Sequence, residues 1–363
     1  MDRDNRKGSW SRPLFNLSSR AWQQLRAKYP ERIDWRLQTR IRIASALVSA
    51  MGGMQELLHG ERVAAVAITS PIFVVGHWRS GTTLLHEMIA LDDRLLTPTT
   101  YQCFNPHSFL LSSDGSTRPK AHVVRPSGDR IVSSESPQEE EFAMLCLGCV
   151  SPYEGFVFPS ALGRLSSLCN LDDFDMEQRT EWEKRFVSFL KAVSLGGDGK
   201  SLLLKSPSNS FRIAALLRLF PDARFIWIVR EPTAVIVSAL DMWEKMWERY
   251  ALGAPLKATT MQRLVIDSYL DLEQKVGVDT QSLASSKLVI IKFEDLVARP
   301  DETIDLIYSK LQLGGWSHLR TAINQFLEAS PPLRAPHRAR PALIDEVRER
   351  CASIFDKYGY QRS

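Results

Sequence analysis

The sequence predicts an α/β fold with a parallel sheet, preceded by a helical extension. Three observations carry this. Short apolar runs at 71–75, 201–204, 224–229 and 288–293 each end in a polar loop and lead into helical apolar spacing. Strands that alternate with helices in this way pair in parallel and bring their carboxyl ends to one edge, where ligands bind. Residues 20–60, by contrast, have helical spacing and no strand among them. The implied division is a helical extension over residues 1–68, packed on an α/β domain over residues 69–363.

Taken in order, residues 1–13 read as loosely attached. A first helix places Trp22, Leu25 and Tyr29 on one face and stops at Pro30. A second carries Ile41, Ala44, Val48 and Met51, with Leu47 beside them, and is expected to break at Gly52-Gly53. Arg36, Arg40 and Arg42 are its basic residues, on a solvated face or toward an anionic partner. The strand at 71–75 follows, and Leu95 to Thr99 reads as a second, weakened by Pro98. Residues 101–138 are rich in Ser, Pro, Asn and His and read as a long binding loop. Glu139-Glu140-Glu141 opens a helix whose first turn welcomes negative charge. An amphipathic helix is expected over 176–194, through Trp182, Phe186, Phe189 and Leu190. A helix over 211–220 follows the next strand. Pro232 suits a helix start after the buried-type strand 224–229. Leu288 to Phe293 reads as another buried strand, with a helix from about Asp301. The tail, 316–357, is helical around a basic, Pro-rich break at Pro331 to Pro341.

At 363 residues with 44% hydrophobic content, the chain can bury a sizeable core. A net charge of +4 suits an anionic small ligand and does not call for nucleic acid. The five cysteines have no framework spacing and read as reduced, buried thiols of a cytoplasmic protein, Cys146-Leu-Gly-Cys149 included. No apolar segment follows the charged N-terminus, so no signal peptide is expected. Ile43 to Leu58 is too short and too polar to span a bilayer. It reads as a core-packing helix, with peripheral membrane contact as the alternative.

The stretch Gly76-His-Trp-Arg-Ser-Gly-Thr-Thr comes close to the phosphate-binding pattern G-x4-G-K-[ST]. The two glycines are correctly spaced at Gly76 and Gly81, but Thr82 stands where a triphosphate enzyme has lysine. A cation is supplied instead by Arg79. Backbone N–H groups and the start of a helix would converge there on an anion; the plainer alternative is a ligand-free turn. Two further strands end in cations, Lys205 and Arg230. Three cations at one sheet edge point to a ligand with more than one phosphate, or a phosphosulfate. Ser238, eight residues after Arg230 and past the first turn of the next helix, can share an anion with it.

These residues resemble the sulfotransferases that use 3′-phosphoadenosine 5′-phosphosulfate (PAPS), especially bacterial-type members related to the tyrosylprotein and carbohydrate enzymes. The resemblance rests on Pro71 through His86, Pro98-Thr-Thr-Tyr-Gln-Cys-Phe, Leu204-Lys-Ser-Pro, Phe220-Pro-Asp-Ala-Arg-Phe, Ile228-Val-Arg-Glu-Pro with Ser238, and Phe293-Glu-Asp-Leu. It covers roughly residues 70–310. It implies a three-layer α/β/α, P-loop-like fold and sulfuryl transfer from PAPS to a hydroxyl or amine, without a metal. Arg79, Ser80, Gly81, Thr82 and Thr83 would hold the 5′-phosphosulfate. Arg230 and Ser238 would grip the 3′-phosphate, and Lys205 would lie near the transferring group. Arg79 and the loop N–H groups would stabilise charge on the leaving group.

A base must take the acceptor's proton. Where several relatives have a glutamate, the chain has Gln102, and where many have a histidine after Lys-Ser-Pro-x, it has Asn209. Neither serves. The candidates are Glu140 or a neighbour in the acidic run, then His107, with His122 and His77 behind them. The competing readings are a P-loop kinase, opposed by Thr82, and a nucleotide-binding protein without activity, which Gln102 and Asn209 would suit. The acceptor, whether small molecule, glycan, lipid or protein, is not named by residues 101–138 or by Arg334, His337, Arg338 and Arg340, which are expected to line its site. The oligomeric state is likewise unspecified.

Overall fold

Five parallel strands form the central sheet, with β1 (Ile72–Val75) in the middle. A computed structural model of the protein describes residues 16–112, 123–124, 131–329 and 341–362. The strand order is β2 (Leu95–Leu96), β5 (Ser201–Lys205), β1, β6 (Arg224–Val229) and β7 (Leu288–Lys292). Ile72 pairs with Leu203 on one side and Arg224 on the other. A separate antiparallel pair is formed by β3 (Val123–Val124) and β4 (Ile131–Val132). The three strands predicted to carry cations, β5, β1 and β6, are therefore neighbours.

The helices begin with α1 (Ser19–Lys28), α2 (Trp35–Ala64), α3 (Thr82–Ile89), α4 (Thr100–Phe104) and α5 (Glu141–Cys146). Then come α6 (Glu154–Val157), α7 (Leu165–Cys169), α8 (Met176–Ser194), α9 (Ile213–Leu219), α10 (Pro232–Tyr250) and α11 (Ala258–Thr280). The series ends with α12 (Phe293–Ala298), α13 (Pro300–Lys310), α14 (Arg320–Ala329), α15 (Pro341–Arg350) and α16 (Ala352–Tyr358).

Alternation along the strands divides the core in two. Phe73, Val75, Leu204, Phe225 and Trp227 face a large cluster that includes α1, α8, α10 and α11. Ile72, Val74, Leu203, Ile226 and Ile228 face a smaller one built from α3, α12, α13 and α14. The three-layer expectation is met: the sheet lies between two helical layers, buried on both faces as its unbroken apolar strands require.

Several expectations need correction. Gly52-Gly53 does not break the second helix, which runs from Trp35 to Ala64. Each glycine costs a helix only about 1 kcal/mol, and a Cβ at Gly52 would stand 3.3 Å from His107 Nδ1. Packing therefore favours a small residue there. The face predicted for the core holds at Ile41, Ala44 and Val48, buried or half-buried, and fails at Met51, 42% exposed, and at Leu47 beside it, 62% exposed. Strand β7 is an edge strand rather than a fully buried one, and its Ile290 is 45% exposed. The run 95–99 yields only Leu95–Leu96 as strand, because Thr99 leaves it to cap α4. Segment 101–138 is not structureless throughout, since it includes α4, a 3₁₀ turn at Phe109–Leu111, β3 and β4. The predictions for residues 1–13, His122 and the basic break at Arg334, His337, Arg338 and Arg340 lie outside the described residues. All five cysteines are free and buried, and burial pushes their thiol pKa values up, those of Cys146 and Cys149 to about 12. Among the described residues no helix is long and apolar enough to cross a membrane.

Candidate functional site

The site is organised by the loop between β1 and α3. Gly76 enters it with its N–H donated to Ser210 Oγ at 2.8 Å, which ties the loop to the segment after β5. Ser80 N–H donates to His77 O at 3.1 Å and closes the turn. Gly81 is the N-cap of α3 in the left-handed region, φ 103°. A Cβ there would come within 2.2 Å of Phe293 Cδ2, so glycine is required by both backbone and space. No side chain caps α3. Its first N–H groups and its dipole therefore point outward without a side-chain acceptor, which is the arrangement that holds anions. Ser80 Oγ is buried and has no hydrogen-bond partner among the described residues. A buried hydroxyl left in this state calls for a ligand oxygen.

The predicted cations divide into two groups on either side of this loop. Arg79, itself in the left-handed region at φ 73°, donates from Nε to Ser238 Oγ at 2.9 Å. Arg230 Nη1 donates to Arg79 O at 3.2 Å. The Arg230 guanidinium lies over the Phe293 ring, 4.3 Å from its centroid. Burial lowers the Arg230 pKa, and Glu294 and Glu231 oppose that. A guanidinium partly withdrawn from water in this way gains much from an arriving anion. Ser238 is carried to the spot by α10, whose start is fixed by Pro232 at its first position and by Glu231, which accepts from Thr233 N and Ala234 N. Arg79 thus groups with Arg230 and Ser238, whereas the sequence placed it with the 5′-phosphosulfate.

Lys205 is the other group. Its side chain is 1% exposed and pairs with Glu139. Nζ also donates to Thr83 Oγ1 at 3.3 Å. Tyr153 OH donates to the same Glu139 carboxylate. One lysine therefore links the first turn of α3 to an acid on the segment before α5.

The acidic run separates into three roles. Glu141, 1% exposed, is locked in an ion pair with Arg212, which is 0% exposed, lies over Trp182 and donates from Nε to Cys169 O. Glu140 is 1% exposed and accepts from Asn209 Nδ2. Desolvation raises its pKa to about 7. Glu139, at 16% side-chain exposure, is the least buried of the three and the one paired with Lys205. The sequence singled out Glu140, which the fold places in the interior against Asn209. Glu139 was legible only as a neighbour in the run.

Of the candidate histidines, His107 and His77 do not join the site. His107 lies between α2 and α5, its Nε2 3.1 Å from Cys146 O, and burial lowers its pKa. His77 is 2% exposed, packs edge-on against Trp78 and Tyr269, and has its pKa lowered by burial to about 4. Gln102 is used locally: its Oε1 accepts from Thr99 N–H and completes the capping box of α4.

Comparison with known proteins fits this geometry. A profile of the Sulfotransferase family matches residues 71–318. The omega-hydroxy-beta-dihydromenaquinone-9 sulfotransferase Stf3 of Mycobacterium bovis is 30% identical over 364 aligned positions, covering 97% of this chain and 92% of that protein. The Mycobacterium tuberculosis protein of the same name matches equally. Among solved structures, sulfotransferase STF9 from Mycobacterium avium superposes with a TM-score of 0.68 at 18% identity over 99% of both chains. STF1 from M. tuberculosis H37Rv gives 0.64 at 20% identity, over 96% of this chain and 94% of that one. At such identities these two establish the fold alone. The profile match and the 97% coverage at 30% identity establish more: the chain belongs to the sulfotransferase family and is an enzyme that transfers sulfuryl groups.

Proposed function

We propose that the sulfuryl donor is PAPS and that the acceptor is the hydroxyl group of a lipid. The observation that carries this reading is Lys205 held between Thr83 and Glu139. It joins an anion-binding helix start to a half-buried acid, the two ends of a transfer reaction.

In this reading Ser80, Gly81, Thr82, Thr83 and the first N–H groups of α3 hold the 5′-phosphosulfate. The buried, unpartnered Ser80 hydroxyl supports that fit. Arg230 and Ser238 hold the 3′-phosphate together with Arg79, whose bond to Ser238 draws it there. The donor supplies the sulfuryl group and leaves as adenosine 3′,5′-bisphosphate. Glu139 takes the acceptor proton. Protonation neutralises its carboxylate and loosens its hold on Lys205. The freed ammonium, already beside Thr83, stabilises the charge that builds on the leaving oxygen. Proton removal and charge stabilisation are thereby coupled through one lysine.

Two observations support a lipid acceptor. The 30% identical relatives are named for a hydroxylated menaquinone. Beside Glu139 lies an aromatic cluster: Tyr153 and Phe156 are buried in it, and half-buried Phe142 and Phe104, their rings 4.9 Å apart, form its outer side. The two half-buried rings suit an apolar acceptor better than a sugar. The test is incubation with ³⁵S-labelled PAPS and a panel of long-chain lipid alcohols, sugars, phenols and tyrosyl peptides. Label is expected in the lipid alcohols. Label confined to the sugars or peptides would overturn the acceptor class, and no transfer from PAPS to any of them would count against the donor.

A further inference from the structure

Helix α2 has two apolar faces, and among the described residues only one is used in packing. Ile41, Ser45 and Val63 are buried. On the same side Gln55 donates to Pro106 O and accepts from Leu110 N–H. Ile43, Leu47, Met54 and Leu58 follow one another at intervals of four, seven and four residues and fall on a different line along the helix. They are 60%, 62%, 52% and 56% exposed, and Leu57 beside them is 82% exposed. Scattered exposed apolar residues are ordinary, whereas a continuous line of them marks a contact surface.

The same line continues toward the helix start through Arg40 and Arg36, both exposed. Arg32, just before the helix, is also exposed, whereas exposed Arg42 lies on another side of α2. Trp35 is 68% exposed, with the Arg36 guanidinium 5.4 Å from its ring. We infer that this face of α2 rests on the surface of an anionic lipid bilayer. The apolar line enters the acyl boundary, Trp35 sits at headgroup level, and the arginines meet lipid phosphates. Charge complementarity selects a bilayer over a second copy of the chain. The acidic residues of α2 are Glu56 and Glu61, and Glu56 lies on the opposite side of the helix from Leu47. A second copy pairing through this helix would offer Glu61 alone to a cluster of guanidinium groups, whereas an anionic surface neutralises them together. The inference stands on the α2 face and does not depend on the acceptor proposed above.

The test is co-sedimentation of the full chain with vesicles of phosphatidylglycerol and phosphatidylcholine, and with phosphatidylcholine alone. Binding to the anionic vesicles is expected. Combined Ile43→Ser, Leu47→Ser, Met54→Ser and Leu58→Ser should weaken it about tenfold or more. Arg36→Glu with Arg40→Glu should weaken it on anionic vesicles and not on neutral ones. Thermal unfolding followed by circular dichroism controls for folding, and the arginine variant stands as an independent arm. No sedimentation with anionic vesicles, or undiminished binding by both variants, would overturn the inference. So would a dimer in analytical ultracentrifugation that the serine variant converts to monomer, since a second copy would then cover the face.

Discussion

Lys205 forms an ion pair with Glu139, and the two side chains are 1% and 16% exposed. The lysine is fixed by its place at the end of β5, and the glutamate is the least buried acid of its run. With Thr83 Oγ1 3.3 Å from the same ammonium, the pair ties the loop after β1 to the segment before α5.

If Glu139 takes the acceptor proton, Glu139→Gln should lower kcat by about 10²- to 10⁴-fold. Affinity for adenosine 3′,5′-bisphosphate should be retained. Glu140→Gln should cost much less, because Glu140 faces Asn209 in the interior. Steady-state kinetics on both variants checks this, and equal losses would remove Glu139 from the role.

Arg230→Ala should weaken adenosine 3′,5′-bisphosphate binding by about tenfold to a hundredfold, the worth of one charge-assisted hydrogen bond. Adenosine 5′-phosphosulfate, which lacks the 3′-phosphate, should bind nearly as before. Arg79→Ala should follow the same pattern, because Arg79 is bonded to Ser238. Calorimetric titration of each variant with both ligands decides it. Equal losses for both ligands would place these arginines elsewhere on the donor.

Glu140 makes stability depend on pH. Burial raises its pKa from 4.5 to about 7. Between those values the folded chain binds the proton more readily than the unfolded one. The stabilisation is fully present below about pH 4.5 and is lost as pH rises through about 7. His77 acts in the opposite sense, because its pKa falls from 6.5 to about 4 on burial. The comparison is therefore between wild type and Glu140→Gln. The variant should gain stability relative to wild type as pH rises from 4.5 to 7, read from urea midpoints across that window.

Arg212 and Glu141 form a buried pair at the base of the acidic segment. Arg212→Met alone leaves a buried carboxylate unpaired and should destabilise the fold by about 3–5 kcal/mol. Arg212→Met with Glu141→Leu should recover much of that. Denaturant unfolding of the single and double variants measures the difference.

Much of the fold could be read from the sequence because the central strands are unbroken apolar runs with clear loop signals, as in 71–76 and 224–232. The loop after β1 was legible too, since Gly76 and Gly81 keep a spacing that the turn demands. Less could be read where packing decides. Nothing local shows that α2 carries Gly52 and Gly53 through its middle, or that Leu47 faces outward. Periodicity finds an apolar face without saying what covers it. The run Glu139-Glu140-Glu141 reads as three equal acids. Its division into a half-buried acid, a buried acid and an ion pair depends on Lys205, Asn209 and Arg212, each more than 60 residues away. Arg79 was assigned by its place in the motif, whereas its side chain follows the partner that α10 presents.

The central claim is a donor site that requires a 3′-phosphate and has no use for a triphosphate. Calorimetric titration of the full chain with adenosine 3′,5′-bisphosphate and with ATP tests it most directly. The account predicts that the bisphosphate binds at least about tenfold more tightly, a difference of about 1.4 kcal/mol or more. Tighter binding of ATP than of the bisphosphate would contradict it.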